Sequence, residues 1–152
     1  MMTSVNKDTR AGFATLIGAP NAGKSTLMNA MVGQKVSIVT PKVQTTRSRI
    51  RGIAMQDEAQ IIFVDTPGIF SPKRRLDRAM VNAAWQGAAD NDVLLLLNDC
   101  ARVSLDDETK MIIAKLVQQE QAAALILNKI DLATPEQVLV RTAELSLSLI
   151  HI

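Results

Sequence analysis

The chain has 152 residues, 47% of them hydrophobic, with one cysteine and a formal net charge of +2. That suits one globular domain with a real core. A single cysteine excludes an internal disulfide, and so small a net charge is no argument for nucleic acid by itself. Apolar runs such as Val93 to Leu97 and Ala122 to Leu127 are far shorter than a membrane span, and the polar start MMTSVNKDTR lacks the apolar stretch of a signal peptide. The chain is therefore expected in the cytoplasm, with Cys100 a small core or loop residue without a redox role.

The first predicted element is a short buried strand, FATLI, over Phe13 to Ile17, and the next is a helix in the run Leu27 to Val32. Between them lies GAPNAGKST, Gly18 to Thr26, which spells G-x-x-x-x-G-K-[ST] with Gly18, Gly23, Lys24 and Ser25 in register. In a strand–loop–helix context this is a phosphate-binding P-loop. Backbone N–H groups curled at a helix N-terminus can meet a polyphosphate where no side chain intrudes, and Gly18 and Gly23 supply that bare backbone. Lys24 is placed to reach the β and γ phosphates, and the Ser25 hydroxyl to ligate Mg²⁺ bridging the same oxygens. Asn21, Ala22 and Thr26 complete the stretch.

A polar segment, Gly33 to Thr46, follows. Strands are then predicted at Arg49 to Met55 and Gln60 to Asp65 around the turn Gln56-Asp57-Glu58. A helix over Arg78 to Ala89, a strand over Asp92 to Leu97, a helix from about Asp106 to Gln119 and a strand over Ala122 to Leu127 come next. A last helix opens at Pro135 after a Thr134 cap, and Asp106, Asp107 and Glu108 put acid in a helix's first turn. Strands alternating with helices predict an α/β, doubly wound, mostly parallel sheet with helices on both faces, the three-layer sandwich of P-loop NTPases.

Two further signals sit at carboxyl ends of strands, where such sheets bind ligands. DTPG, Asp65 to Gly68, can hold Mg²⁺ through water by its aspartate and offer the Gly68 N–H to a γ-phosphate. Thr45 or Thr46, in the preceding polar loop, could complete the metal's shell only while that phosphate is present, which would make Gly33 to Thr46 a switch. NKID, Asn128 to Asp131, supplies a fixed carboxylate, Asp131, that can accept from guanine's N1–H and exocyclic amine together. Adenine offers no such pair, and a site built on buried hydrogen bonds rejects the wrong base by roughly four to five orders of magnitude. Asn128 would brace the loop and the Lys129 stem would lie along the base. Arg47, Arg49 and Arg51 alternate, and Lys73, Arg74 and Arg75 cluster; most such groups are solvated surface, and the other reading is an RNA contact.

The segments GAPNAGKSTLMN, SIVTPKVQTTRSRIRGI, FVDTPGIFSPKRRLDRAM and NKID resemble the translation-factor-like branch of P-loop GTPases and, within it, the Era family, over roughly residues 13–139. The resemblance implies GTP and GDP as ligands, Mg²⁺ held by Ser25, Thr46 and, through water, Asp65, and Thr46 rather than Thr45 as the magnesium-sensing threonine. Asn21 matches an asparagine that some relatives use to support K⁺. The resemblance also implies a GTP-hydrolysing switch in maturation of the small ribosomal subunit, contacting 16S rRNA through a C-terminal KH domain, with peripheral association at the inner membrane. The alternatives are a related GTPase of tRNA modification or large-subunit assembly, and a nucleotide-binding fragment without turnover; the segment QTTR followed by SRIRGI favours the first role.

Two departures from the family pattern stand out. No later S-A motif and no KH domain follow NKID, so residues 1–146 are expected to be an incomplete GTPase domain. LSLIHI, Leu147 to Ile152, resembles the in-frame translation of a transposon-type sequencing adapter, which leaves His151 without chemistry. After DTPG, Ile69 and Phe70 stand where a Ras-like protein carries a water-orienting glutamine, a hydrophobic substitution that is typical of the family this chain resembles. Hydrolysis is therefore expected to be slow, with Lys24, Thr46 and Gly68 positioning the phosphates and no general base assigned.

Overall fold

A computed structural model describes residues 10–33, 50–66, 75–89 and 91–149 of the chain. Five strands form one sheet in the order β2-β3-β1-β4-β5: β1 is Arg10–Gly18, β2 Ile50–Gln56, β3 Ala59–Asp65, β4 Val93–Asp99 and β5 Ala124–Asn128. β1 pairs in parallel with β3 and β4, β4 in parallel with β5, and β2 runs antiparallel to β3. The mostly parallel α/β sandwich expected from the alternation is therefore the fold. The helices are α1 (Lys24–Val32), α2 (Arg75–Ala89), α3 (Asp107–Gln118) and α4 (Pro135–Leu149).

The pleat sends alternate side chains of the central strands to two cores. Ala14 and Leu16 of β1, with Leu97 and Phe63, pack with Met28 of α1. Ile17, Leu94 and Leu96 face the other way, toward Ala84 of α2, Ile112, Ile113 and Leu116 of α3 and Leu145 of α4. Leu16, Ile17, Leu96, Ile112, Leu116 and Leu145 are fully buried, each contributing about 1.5–3 kcal/mol by leaving water. This packing holds the carboxyl ends of β1, β3, β4 and β5 side by side.

Several boundaries differ from the sequence reading, each for a physical reason. β1 starts at Arg10 rather than Phe13 because its backbone pairs with Ala59 onward whatever the side chains. β2 and β3 shift by one residue at the turn, which is the pair Asp57-Glu58 with Asp57 left-handed at φ 52. α2 begins at Arg75 rather than Arg78, since Arg and Leu at the front are good helix formers. Asp106 is not in the first turn of α3 but caps it, its carboxylate accepting from Thr109 N at 2.7 Å.

The strand predicted from Ala122 begins at Ala124 because the end of α3 consumes the residues before it. Glu120 is left-handed at φ 50, its N–H donates to Val117 O, and Gln121 N donates to Leu116 O, a Schellman closure. β4 runs two residues beyond Leu97: Asn98 and Asp99 pair with Leu127 and Asn128. The cap of α4 is as expected, with Thr134 N donating to Gln137 Oε1 and Gln137 N to Thr134 Oγ1. Residues 147–149, expected to be a foreign tail, continue that helix.

Candidate nucleotide site

The P-loop runs from the end of β1 into α1. A Cβ on Gly18 would stand 2.7 Å from Leu97 O, so the loop leaves the sheet closer to β4 than any side chain permits. Gly23, left-handed at φ 98, caps α1, and a Cβ there would collide with Asn128 Nδ2. α3 and α4 carry capping side chains and acid in their first turns, whereas α1 has neither a side-chain cap nor an acidic residue there. Its N-terminal N–H groups and the positive end of its dipole suit an anion.

Lys24 is buried, its ammonium folded over the loop and donating to Ala19 O at 2.8 Å and Gly18 O at 3.2 Å. Burial lowers its pKa to about 8, with the Asp65 carboxylate opposing that shift. Ser25 Oγ donates to Asp65 Oδ2 at 2.6 Å, and Asp65 is fully buried at the end of β3. The structure thus brings together the two oxygen donors expected to serve Mg²⁺. Both are hard ligands, and their contact is one that a cation between them would replace. Among the described residues no group of three or more His, Cys, Asp or Glu side chains could hold a metal. Two donors completed by phosphate and water suit Mg²⁺, which keeps several waters.

NKID lies at the end of β5, against the P-loop. Asn128 Nδ2 donates to Ala22 O at 2.9 Å, tying the end of β5 to the P-loop. Lys129, left-handed at φ 58, sends its ammonium to Asn21 O and to Asp99 Oδ2, each at 2.7 Å. Asp131 is exposed in the short 3-10 turn Ile130–Leu132 that follows. Asn21, left-handed at φ 62, and Thr26 are exposed, and Ala22 is buried. Thr45, Thr46, Gly68, Ile69, Phe70 and the basic residues Arg47, Arg49, Lys73 and Arg74 lie outside the described residues.

Residues 13–129 match the family of 50S ribosome-binding GTPases. The chain belongs to that family. GTPase Era of Dinoroseobacter shibae is 56% identical over 148 residues, which is 95% of this chain and 48% of that protein. A variant of Aquifex aeolicus Era bound to GDP.AlF4- is 36% identical with a TM-score of 0.80, over 91% of this chain and 47% of that one. Era in complex with MgGDPNP and nucleotides 1506–1542 of 16S ribosomal RNA is 35% identical with a TM-score of 0.82, over 95% and 49%. This GTPase-family chain therefore spans about half the length of the relatives it matches.

Three residues of the site escaped the sequence reading. Thr66 Oγ1 donates to Leu16 O at 2.7 Å, tying the start of the D-x-x-G loop to β1. Asp99, a polar residue after an apolar run, reads as loop but is the anion that receives Lys129. Arg141 is buried in α4, donating to Asn98 Oδ1 at 2.7 Å, Asp99 O at 3.3 Å and Arg102 O at 2.9 Å. Its signal was its position: Arg141 stands four residues before buried Leu145, in the helix's inward stripe. Cys100 is buried beside this network, and burial chiefly raises its thiol pKa, Arg141 opposing and Asp99 adding to the rise. That leaves a neutral thiol, as expected of a core cysteine. No helix among the described residues is long and apolar enough to cross a membrane.

Proposed function

We propose that the chain is the nucleotide-binding part of an Era-type switch that binds GTP and GDP and hydrolyses GTP slowly. The observation that carries this reading is the direct clamp of NKID onto the P-loop, Asn128 to Ala22 and Lys129 to Asn21. The clamp supports this reading because it joins the loop suited to read a base directly to the loop suited to hold phosphates. Lys24 supplies the cation for the β and γ phosphates, and Gly18 to Thr26 the backbone cradle. Ser25 and Asp65 are the residues that would hold Mg²⁺, which neutralises developing phosphate charge when bound. Asp131 is the acceptor for guanine. Asn21, exposed at the lip of the loop, is the residue that K⁺ beside the phosphates would use, and faster hydrolysis in K⁺ than in Na⁺ tests that assignment.

The cellular role proposed is maturation of the small ribosomal subunit, in the cytoplasm. The family's description names the large subunit, but the 16S ribosomal RNA held by the Era complex favours the small one. Equilibrium titration with GDP, GTP and ATP, followed by phosphate release from GTP, tests the nucleotide reading. The expected result is binding of both guanine nucleotides, no measurable ATP binding and slow Mg²⁺-dependent release. Equal affinity for ATP and GTP would overturn the guanine assignment.

A further inference from the structure

Asp99 is the one acidic side chain that the described structure places on the NKID lysine. Its Oδ2 receives Lys129 Nζ at 2.7 Å, its Oδ1 accepts from Ala101 N at 3.0 Å, and it is 8% exposed. The Arg102 guanidinium stands farther off, 3.9 Å from Oδ2. The carboxylate is fixed to the sheet because its residue is the last of β4, paired to Asn128, and its own carbonyl accepts from Arg141 Nη1. Lys129 is thus held at both ends, by its left-handed backbone after Asn128 and by its ammonium between Asp99 Oδ2 and Asn21 O. A flexible four-carbon stem caught this way loses most of its rotamer freedom, and it spans from β5 to the P-loop and β4 two residues before Asp131 in the motif. Released from Asp99, the ammonium would be drawn toward water, since it is a strongly hydrated point charge on a stem with many rotamers.

We propose that Asp99 is a positioning residue of the base subsite: it acts through Lys129, pinning its stem as the platform for the guanine ring and so setting how long the nucleotide stays bound. This rests on the guanine-nucleotide reading above. It separates two duties within one motif. Asn128 joins the base loop to the phosphate loop, whereas Asp99 joins it to the rigid sheet, through a charge-assisted hydrogen bond that a neutral side chain would weaken.

The test uses Asp99→Asn, Lys129→Met and the double variant, with GDP dissociation followed by stopped flow and pyrophosphate competition as a probe of the P-loop alone. Asp99→Asn is expected to speed GDP release about tenfold, the scale for weakening one hydrogen bond to a charged group. Pyrophosphate affinity and the melting temperature of the nucleotide-free chain should stay near wild type. Lys129→Met keeps much of the apolar stem, so adding Asp99→Asn to it should accelerate release no further, because the carboxylate has lost the group through which it acts. Additive effects in the double variant, an unchanged GDP release rate in Asp99→Asn, or an equal loss of pyrophosphate affinity would each overturn the proposal. Should Asp99→Asn lower the melting temperature, Asp99→Glu decides: it keeps the charge, and failure to recover slow release would make Asp99 merely structural. Wild-type chain that does not prefer GDP to ADP would instead overturn the guanine reading itself.

Discussion

Asn128 Nδ2 donates to the backbone oxygen of Ala22 over 2.9 Å, joining residues 106 positions apart. The same side-chain nitrogen occupies the space that a Cβ on Gly23 would take, so glycine and asparagine there are one fitted pair. Asn128→Ala removes the donor and leaves the Ala22 carbonyl to seek another partner. Losing one such bond costs about 1–3 kcal/mol, roughly tenfold to a hundredfold in affinity. GDP titration should show that loss. Asn128→Asp should lose more, because it sets a carboxylate against a carbonyl oxygen. Unchanged affinity in both variants would mean that the base loop holds its place without this bond.

Lys24 makes nucleotide binding depend on pH above the physiological range. Burial sets its pKa near 8 in the nucleotide-free chain, and polyphosphate selects the charged form. GDP affinity should therefore fall as pH rises above about 8, by up to about tenfold per unit. Binding in that window should take up a proton, measurable as a buffer-dependent enthalpy in calorimetry. Stability runs the other way: the folded value lies below the ordinary 10.5, so the unfolded chain holds more protons between the two values. The nucleotide-free chain should gain stability from this group as pH climbs through that window. Lys24→Met should abolish both trends, and their persistence would assign them to another group.

Asp131→Asn tests which base is read. The substitution replaces one acceptor by an NH₂ donor that would face guanine's exocyclic amine, whereas xanthine carries a carbonyl there. Each mismatched pair costs about 1–3 kcal/mol. A competition titration of GDP against XDP should show the preference moving toward xanthine by roughly tenfold or more. A preference that does not move would make the exposed Asp131 a surface residue of a polar turn.

Arg141→Met tests the buried network under β4. The variant keeps a long apolar stem and removes the guanidinium donors to Asn98 Oδ1, Asp99 O and Arg102 O. Stranded buried acceptors cost about 1–3 kcal/mol, and the midpoint of urea unfolding should drop without a change in slope. The salt bridge from Arg141 Nε to Glu144, at 3.3 Å, adds little, because Glu144 is half exposed. Glu144→Gln should accordingly leave the midpoint nearly unchanged.

The sequence by itself determined the sheet, its alternation with helices and the two loops that name the site, because each is written in neighbouring residues. Four apolar residues and Thr15 ending at Ile17, two glycines at a fixed interval and Lys24-Ser25 specify a P-loop within thirteen positions, and the four residues Asn128-Lys129-Ile130-Asp131 at the end of a strand specify the base loop. Backbone geometry and short-range hydrogen bonding dictate such signals, so they survive being read locally. Only the tertiary structure decided that Asn98 and Asp99 are strand rather than loop. Their polar side chains argue for a turn until Arg141, 43 positions on, satisfies Asn98 inside the protein. The destination of Lys129 was hidden for the same reason: its partners, Asp99 and Asn21, lie 30 and 108 positions away. A buried charge or polar group is stable only with its partner in place, and no local pattern names a partner that the fold alone brings within 3 Å.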